Sequence, residues 1–195
     1  LSQRSLASKG YMEIVTWSFT DSKIDKQFSK GEKEIPIYNP ISSDLDVLRR
    51  SIFSNLAINL KKNQDRGYED LSLFEIGTTF FGKNPGEQQI IVGGLKSGKI
   101  NKKSWLDKER NVDVFDIKSD AIKTLIELGI EEKNLFVSDN TKHSYHPGRS
   151  GSITLKSEKG PHLAYFGEIH PAIIKNLDCK DKNIKPERSR IYGMT

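Results

Sequence analysis

Two short motifs near the end of the chain constrain its fold more than any other sequence feature. Residues 146–151 have the sequence HPGRSG, and residues 167–171 have the sequence GEIHP. Proline fixes φ and lacks a backbone donor, whereas glycine permits positive φ, so each motif predicts a tight and specified connection. Runs of β-forming residues follow the first motif at 152–155 and precede the second at 163–166. The motifs therefore indicate turns at strand boundaries.

Hydrophobic periodicity predicts more strands than helices. Strands are expected at 11–19, 35–38, 71–81, 89–95, 112–117, 135–137, 152–155 and 163–166, and helices at 1–9, 21–28 and 171–177. The longest predicted helix begins at Ser43, ends before Gly67 and carries an apolar stripe (Leu45, Leu48, Ile52, Leu56 and Leu60). Ser119 is expected to cap another helix. Most connections are too short for parallel crossovers, so we predict an α+β fold with a mainly antiparallel sheet flanked by helices.

Composition limits the class of protein. The chain has 195 residues, enough for a domain with a core, and it contains no apolar run near the roughly 20 residues that cross a bilayer. A single cysteine, Cys179, fits a reducing cytosol, so we expect a cytoplasmic protein without a membrane partner. Because the first residue is Leu1 and not Met, we expect a piece of a longer protein. The net charge of +5 is compatible with nucleic-acid contact, but the lysines are scattered, which favours solvated faces.

Common catalytic and metal motifs are weak or missing in the sequence. The spacing of Gly93, Gly98 and Lys99 imitates a phosphate-binding loop, but Ile100 takes the place of the required Ser or Thr, so a hairpin is favoured. The four histidines (His143, His146, His162 and His170) match no zinc spacing, and no G-x-S-x-G elbow supports a Ser–His–Asp triad. The sequence therefore predicts no catalytic, cofactor-binding or metal-binding residue in this chain.

Glu75 lies between two apolar neighbours and allows two interpretations. If its side chain points inward, it needs a buried partner, and Arg149 is the natural candidate. If the strand alternates regularly between a buried and an exposed face, Glu75 faces solvent while its neighbours Phe74 and Ile76 face the core. The sequence leaves both interpretations open.

Three motifs in order carry a resemblance to a known family. The sequence LFEIG occupies residues 73–77, HPGR follows at 146–149, and the G-x-x-HP turn comes last. In this order they resemble the synthetase-like core of the bacterial phenylalanyl-tRNA synthetase β subunit. The resemblance covers residues 1–178, and the polar residues 179–195 are predicted to form a divergent, poorly ordered tail. Turn and polar contacts are expected from Glu75, Gly77, His146, Pro147, Gly148, Arg149, His170 and Pro171.

The resemblance implies a class II synthetase-like core without chemistry of its own. Phe81 stands where the second family motif has a phosphate-binding arginine, and the polar residues 181–188 stand where the third motif is expected. It further implies an (αβ)2 enzyme that charges tRNA(Phe) with phenylalanine, in which ATP and Mg²⁺ act at the α subunit. This chain would pack against that subunit as a non-catalytic module.

The density of apolar residues in the first twenty positions predicts where the α subunit binds. Leu6, Tyr11, Trp17 and Phe19 are the expected interface residues, although all of them could instead lie inside the domain. Two other functions stay open at this point. The chain could be an independent nucleic-acid-binding module, or, as a weaker alternative, a free-standing ligase.

Overall fold

A computed structural model describes residues 1–100, 105, 108–177 and 190–195 of the chain. The strands are β1 (Met12–Glu13), β2 (Phe19–Thr20), β3 (Val47–Leu48), β4 (Leu71–Phe80), β5 (Gln88–Ser97), β6 (Leu135–Ser138), β7 (Tyr145–Leu155), β8 (His162–Ile169) and β9 (Ile191–Met194). The α-helices are α1 (Ser2–Ser8), α2 (Ser22–Phe28), α3 (Ile52–Gln64), α4 (Val114–Glu127) and α5 (Pro171–Asn176), and a 3₁₀ turn covers Glu132–Asn134.

One seven-stranded sheet organises the fold. Its strand order is β1-β4-β5-β9-β8-β7-β6, and β2 and β3 form a separate pair. Strand β1 runs parallel to β4, and every other neighbouring pair in the sheet is antiparallel. Helices pack on both faces of the sheet, so the predicted α+β architecture is confirmed. Among the helices of the described residues, none is long and apolar enough to span a bilayer.

The sheet separates two apolar cores. The first joins Ile52, Phe53 and Leu56 of α3 to Leu73 and Leu95 of the sheet. The second joins residues of α1 and α4 to the opposite face, and its members include Leu6, Phe74, Ile117, Ile153 and Tyr192. Successive residues of a strand point to opposite faces, which explains why Leu73 and Phe74 belong to different cores.

The longest predicted helix begins later than the sequence indicated. Ser51 is the N-cap of α3, and its side chain accepts a hydrogen bond from Phe53 N at 3.3 Å. Leu48 lies in β3, where it pairs with Phe19, so the predicted start at Ser43 is wrong. Leu45 and Leu48 continue the helical spacing, but strand pairing in the folded chain overrides that local pattern.

The prediction for residues 112–117 is also wrong. Helix α4 begins at Val114, and Asp113 caps it through Phe115 N and Asp116 N. The Asp116 side chain accepts from Asp113 N in return, which completes a capping box. The alternating apolar residues at 112–117 favour a strand and a later cap at Ser119, but the capping box at Asp113 starts the helix earlier.

Other predicted strands differ in extent. The strand expected at 11–19 is divided into β1 and β2, and the strand expected at 35–38 is reduced to one bridge between Pro36 and Val47. The strands expected at 71–81, 89–95, 135–137 and 163–166 are confirmed as β4, β5, β6 and β8, within a few residues at each end.

The expected tail contains a central strand of the sheet. Strand β9 pairs with β5 on one side and with β8 on the other, and all four of its residues are buried. The prediction of poor order is therefore wrong for Ile191–Met194, because these apolar residues complete the hydrogen bonding of two neighbouring strands. The rest of the predicted tail, up to residue 189, lies outside the described residues.

Shortening Leu56 to alanine tests the assignment of the buried face of α3. Leu56 is 0 % exposed, so Leu56→Ala should lower the free energy of unfolding by about 2–5 kcal/mol. Lys62→Ala, on the exposed side of the same helix, should change it by no more than about 0.5 kcal/mol. Chemical denaturation followed by circular dichroism measures both values. Equal effects of the two substitutions would show that this face of α3 is not packed against the sheet.

Candidate functional site

Helix α3 covers the face of β4, β5 and β9 so closely that two strand positions must be glycine. A Cβ atom on Gly93 would lie 2.3 Å from Ile52 Cγ2, and one on Gly193 would lie 2.9 Å from Phe53 Cζ. Contacts this short do not occur between real side chains, so the helix can reach the sheet only where these strands lack a side chain. The side chains of α3 therefore occupy the space above the strands.

A buried ion pair lies beside α3 on the same face. Arg49 Nη1 is 2.7 Å from Glu75 Oε1, and the two side chains are 2 % and 3 % exposed. Thr16 Oγ1 donates to Glu75 Oε2 at 2.8 Å, and Arg49 Nε donates to the carbonyl oxygen of Thr78 at 2.8 Å. Asn55 Nδ2 donates to Thr16 Oγ1 at 2.8 Å. We call Thr16, Arg49, Asn55 and Glu75 the Arg49–Glu75 network.

The network decides between the two interpretations of Glu75. The side chain points inward, and its partner is Arg49 and not Arg149. The sequence gives no signal that identifies Arg49 as this partner, because residue 49 falls inside the helix that the apolar spacing predicts from Ser43. The same contact explains Gly77, since a Cβ atom there would lie 2.0 Å from Arg49 Nη2.

Arg149 pairs with a different carboxylate. Its Nε is 2.6 Å from Glu168 Oε2, and the Glu168 side chain is only 3 % exposed. Burial raises the pKa of the neighbouring Tyr192 hydroxyl, and the Glu168 carboxylate acts in the same direction. The predicted polar role of Arg149 therefore involves Glu168, and it joins β7 to β8.

Both His-Pro motifs form the turn hydrogen bonds that the sequence indicated. His146 Nδ1 accepts from Gly148 N at 3.0 Å, and His170 Nδ1 accepts from Ala172 N at 3.2 Å. The second motif is a true connection, in which His170 caps α5 and Pro171 is its first residue. The first motif, including Pro147, lies inside β7 at a register shift between Tyr145 and Ser150. It is thus an irregularity within a strand and not the boundary that was predicted.

The expected interface residues occupy two different environments. Leu6 and Tyr11 are 0 % and 4 % exposed, so their assignment to an exposed surface is wrong. Burial raises the pKa of Tyr11 well above its usual value, and Asp120, whose Oδ2 accepts from the hydroxyl at 3.0 Å, adds to the effect. Trp17 is 66 % exposed, and its ring stacks on the half-buried Phe19 with centroids 6.4 Å apart.

Phe81 and the candidate metal ligands can be compared directly with the sequence predictions. Phe81 is 63 % exposed directly after β4, at the position where the family resemblance implies an arginine. Within the described ranges, no group of three His, Cys, Asp or Glu side chains is placed to hold a metal ion. Lys99 forms an antiparallel bridge to Asn111, which supports a hairpin; residues 101–104 and 106–107 lie outside the described part.

Comparisons with known proteins agree with the resemblance. The model of the family "Phenylalanyl tRNA synthetase beta chain CLM domain" matches residues 1–184. The phenylalanine–tRNA ligase β subunit of Rhodospirillum rubrum is 43 % identical over 178 residues, which are 91 % of this chain and 22 % of the relative. The corresponding subunit of Paramagnetospirillum magneticum is 40 % identical over 178 residues, again 91 % and 22 % of the two chains. The chain thus spans about a fifth of these relatives.

A solved structure supports the fold alone. The pyrrolysyl-tRNA synthetase PylSc of Desulfitobacterium hafniense superposes with a TM-score of 0.65 at 15 % identity, over 99 % of this chain and 63 % of that chain. The sheet flanked by helices is therefore the fold of a class II tRNA synthetase.

A methyl group at Gly77 tests the Arg49–Glu75 network. Gly77→Ala should displace the guanidinium of Arg49 and leave Glu75 as an unpaired buried charge, which costs about 3–5 kcal/mol of unfolding free energy. Gly148→Ala is the matched control, because its nearest neighbour would be 3.7 Å away, an ordinary contact. Denaturant melts of both variants measure the difference. If Gly77→Ala proves as stable as Gly148→Ala, the guanidinium of Arg49 does not lie against position 77.

Proposed function

The chain belongs to the family of phenylalanyl-tRNA synthetase β-chain CLM domains, and on that premise we propose that it is the non-catalytic core module of a phenylalanine–tRNA ligase. In this proposal it packs against the catalytic α subunit of an (αβ)2 assembly in the cytoplasm. The whole enzyme charges tRNA(Phe) with phenylalanine, using ATP and Mg²⁺ bound outside this chain.

Phe81, at the position where the family resemblance implies a phosphate-binding arginine, is the observation that carries the non-catalytic assignment. Adenylate formation requires room for two substrates and cations that stabilise the α-phosphate. Phe81 offers no charge at the position of the family arginine, so the requirement for a cation is unmet there.

Pyrophosphate exchange tests the non-catalytic assignment. The 195-residue chain alone should show no phenylalanine-dependent exchange of pyrophosphate into ATP. Phe81→Arg alone should not create this activity, because the polar residues 181–188 would still stand where the third family motif is expected. The matching α subunit serves as the positive control when it is assembled with its β subunit. Exchange by the isolated chain, with or without the substitution, would refute the assignment.

The free edge of the sheet is the proposed contact with the α subunit. Strand β1 is the terminal strand, so the backbone groups on its outer side have no neighbouring strand in the sheet. Met12, Val15 and Trp17 are 53 %, 89 % and 66 % exposed, and we call these three residues the β1 edge. An apolar row of this kind beside an unpaired strand is typical of a protein interface. The ring of Phe19 stacks against the ring of Trp17, so Phe19 is also part of the proposed surface.

Replacing Trp17 with aspartate tests the contact. Trp17→Asp should weaken binding to the matching α subunit by at least about tenfold, because a buried tryptophan at an interface commonly contributes that much. Phe136→Asp is the control, since Phe136 is 38 % exposed on β6 at the opposite edge of the sheet. Surface plasmon resonance gives both affinities, and circular dichroism confirms that each variant is folded. Equal affinities of the two folded variants would place the interface away from the β1 edge.

A further inference from the structure

A cavity of about 380 Å³ lies within the sheet, beyond the point where β9 stops between β5 and β8. Residues 89–92 of β5 and 162–165 of β8 form two of its walls. Strand β9 pairs with residues 94–97 of β5, and residues 88–93 have no strand on that side among the described residues. Because β9 holds β5 and β8 two strand spacings apart, about 9.5 Å, the cavity beside it is one strand wide.

The backbone of β5 directs hydrogen-bonding groups into this cavity. In an antiparallel ladder, successive residues of a strand bond alternately to one neighbouring strand and to the other. Ile14 N donates to the carbonyl oxygen of Phe74 at 2.8 Å, so Phe74 turns its backbone groups away from β5. Gly94 lies opposite Phe74 and therefore turns its own groups toward β9. Val92 and Ile90 alternate with Gly94, so their N–H and C=O groups point into the cavity, where no strand of the described part receives them.

Thr195 lies at the entrance of the cavity and continues the register of β9. Its N–H donates to the carbonyl oxygen of Tyr165 at 2.9 Å, and Tyr165 N donates to the carbonyl oxygen of Thr195 at 2.6 Å. The pairing of β9 with both neighbours fixes what lies ahead: residues 92, 91 and 90 of β5 face residues 164, 163 and 162 of β8. A strand continued from Thr195 would thus meet one residue of each neighbour at three successive positions.

The side chains around the cavity favour a particular pattern in an occupying strand. Met194 belongs to the core under α1 and α4, and alternate residues of a strand share a face. The first and third residues after Thr195 would therefore face α4, where Ala121 and Leu125 line the cavity. Ile90 lies on the same face and is 77 % exposed, although it belongs to a strand inside the sheet. Apolar side chains at the first and third positions would bury these groups.

A polypeptide segment continuous with β9 fits these constraints better than a separate molecule. The cavity lies between two strands and beside α4, so a strand from another chain would have to thread between elements that are already packed. A small ligand would have to match backbone groups that recur at every second residue of β5, and an extended backbone has that spacing itself. Further polypeptide exists in the family, since this chain spans about a fifth of its relatives.

We propose that the residues that follow Thr195 in the full-length β subunit extend β9 by three residues and fill the cavity between β5 and β8. Their backbone would bond to Val92 and Ile90, and their first and third side chains would be apolar and pack under α4. The inference rests on the proposed function only in that this chain is part of a longer β subunit. It needs neither the non-catalytic assignment nor the contact at the β1 edge, so its failure would leave both unchanged.

Disulfide formation in the full-length β subunit, assembled with its α subunit, tests the register. In a Cys179→Ser background, Ile90→Cys is combined with a cysteine at the third residue after Thr195, which the proposal places directly opposite. Such paired residues on antiparallel strands have Cα atoms about 5.5 Å apart, within the range that a disulfide spans. Mild oxidation should therefore join the two cysteines within one chain, and mass spectrometry of the digested protein identifies the bridge.

A cysteine at the second residue after Thr195 is the matched control. Its side chain would lie on the opposite face of the sheet from Ile90→Cys, so the yield of the bridge should be at least about tenfold lower. Size-exclusion chromatography shows that both variants assemble with the α subunit. Equal yields, no bridge in either assembled variant, or a bridge between two copies of the chain would overturn the proposal.

Amide hydrogen exchange of the unaltered full-length subunit provides a measurement that needs no substitution. Val92 and Ile91 are neighbours on β5, but the Val92 amide faces the cavity, whereas the Ile91 amide faces β4. If a strand fills the cavity, both amides are hydrogen-bonded inside the sheet, and their protection should agree within about tenfold. Mass spectrometry with residue-resolved fragmentation measures both. Exchange at Val92 at least about 100-fold faster than at Ile91 would show that the cavity stays empty and would contradict the proposal.

Discussion

The buried pair of Arg49 and Glu75 fixes the position of helix α3, and the rest of the sheet face depends on that position. A buried charge without its partner is strongly destabilising, so Arg49 must reach Glu75 across β4. Position 77 must be glycine because the Arg49 guanidinium lies against it. Thr16 donates a hydrogen bond to the same Glu75 carboxylate. Arg49 is three residues before Ile52, the first residue of α3, and the helix therefore begins where its apolar side chains meet Gly93 and Gly193.

The opposite face has a comparable anchor. Lys96 of β5 is 2.7 Å from Asp120 of α4, and its ammonium lies 4.5 Å from the centre of the Tyr11 ring. These three buried side chains connect the chain after α1, the middle of the sheet and α4, much as the Arg49–Glu75 network connects β4 and α3. Each face thus combines an apolar core with at least one buried ion pair, and these ion pairs help to fix how the helices lie on the sheet.

The sequence predicted the parts of the fold that local patterns determine. The strands β4, β5 and β8 contain long β-forming runs, which predict them from the sequence. The turn before α5 is predicted as well, because its His-Pro motif supplies the N-cap and the first residue of the helix. Helices α3 and α4 were misplaced at their starts because apolar spacing alone cannot locate an N-cap when a neighbouring strand has a compatible pattern. The partner of Glu75 was missed for a different reason: Arg49 and Glu75 are 26 residues apart, and their contact exists only in the folded chain.

Strand β9 shows most clearly why a short element escapes sequence analysis. Its four residues carry no periodicity of their own, yet they lie between β5 and β8, two long strands that face each other across the gap. Without β9, both strands would have unpaired backbone groups in the middle of the sheet. A short apolar segment that fits between them is therefore stabilised there by hydrogen bonds on both sides. Ile191 joins the core under α3, whereas Tyr192 and Met194 join the core under α1 and α4. Four residues therefore link both cores and both halves of the sheet, and their position follows from the strands around them and not from their own sequence.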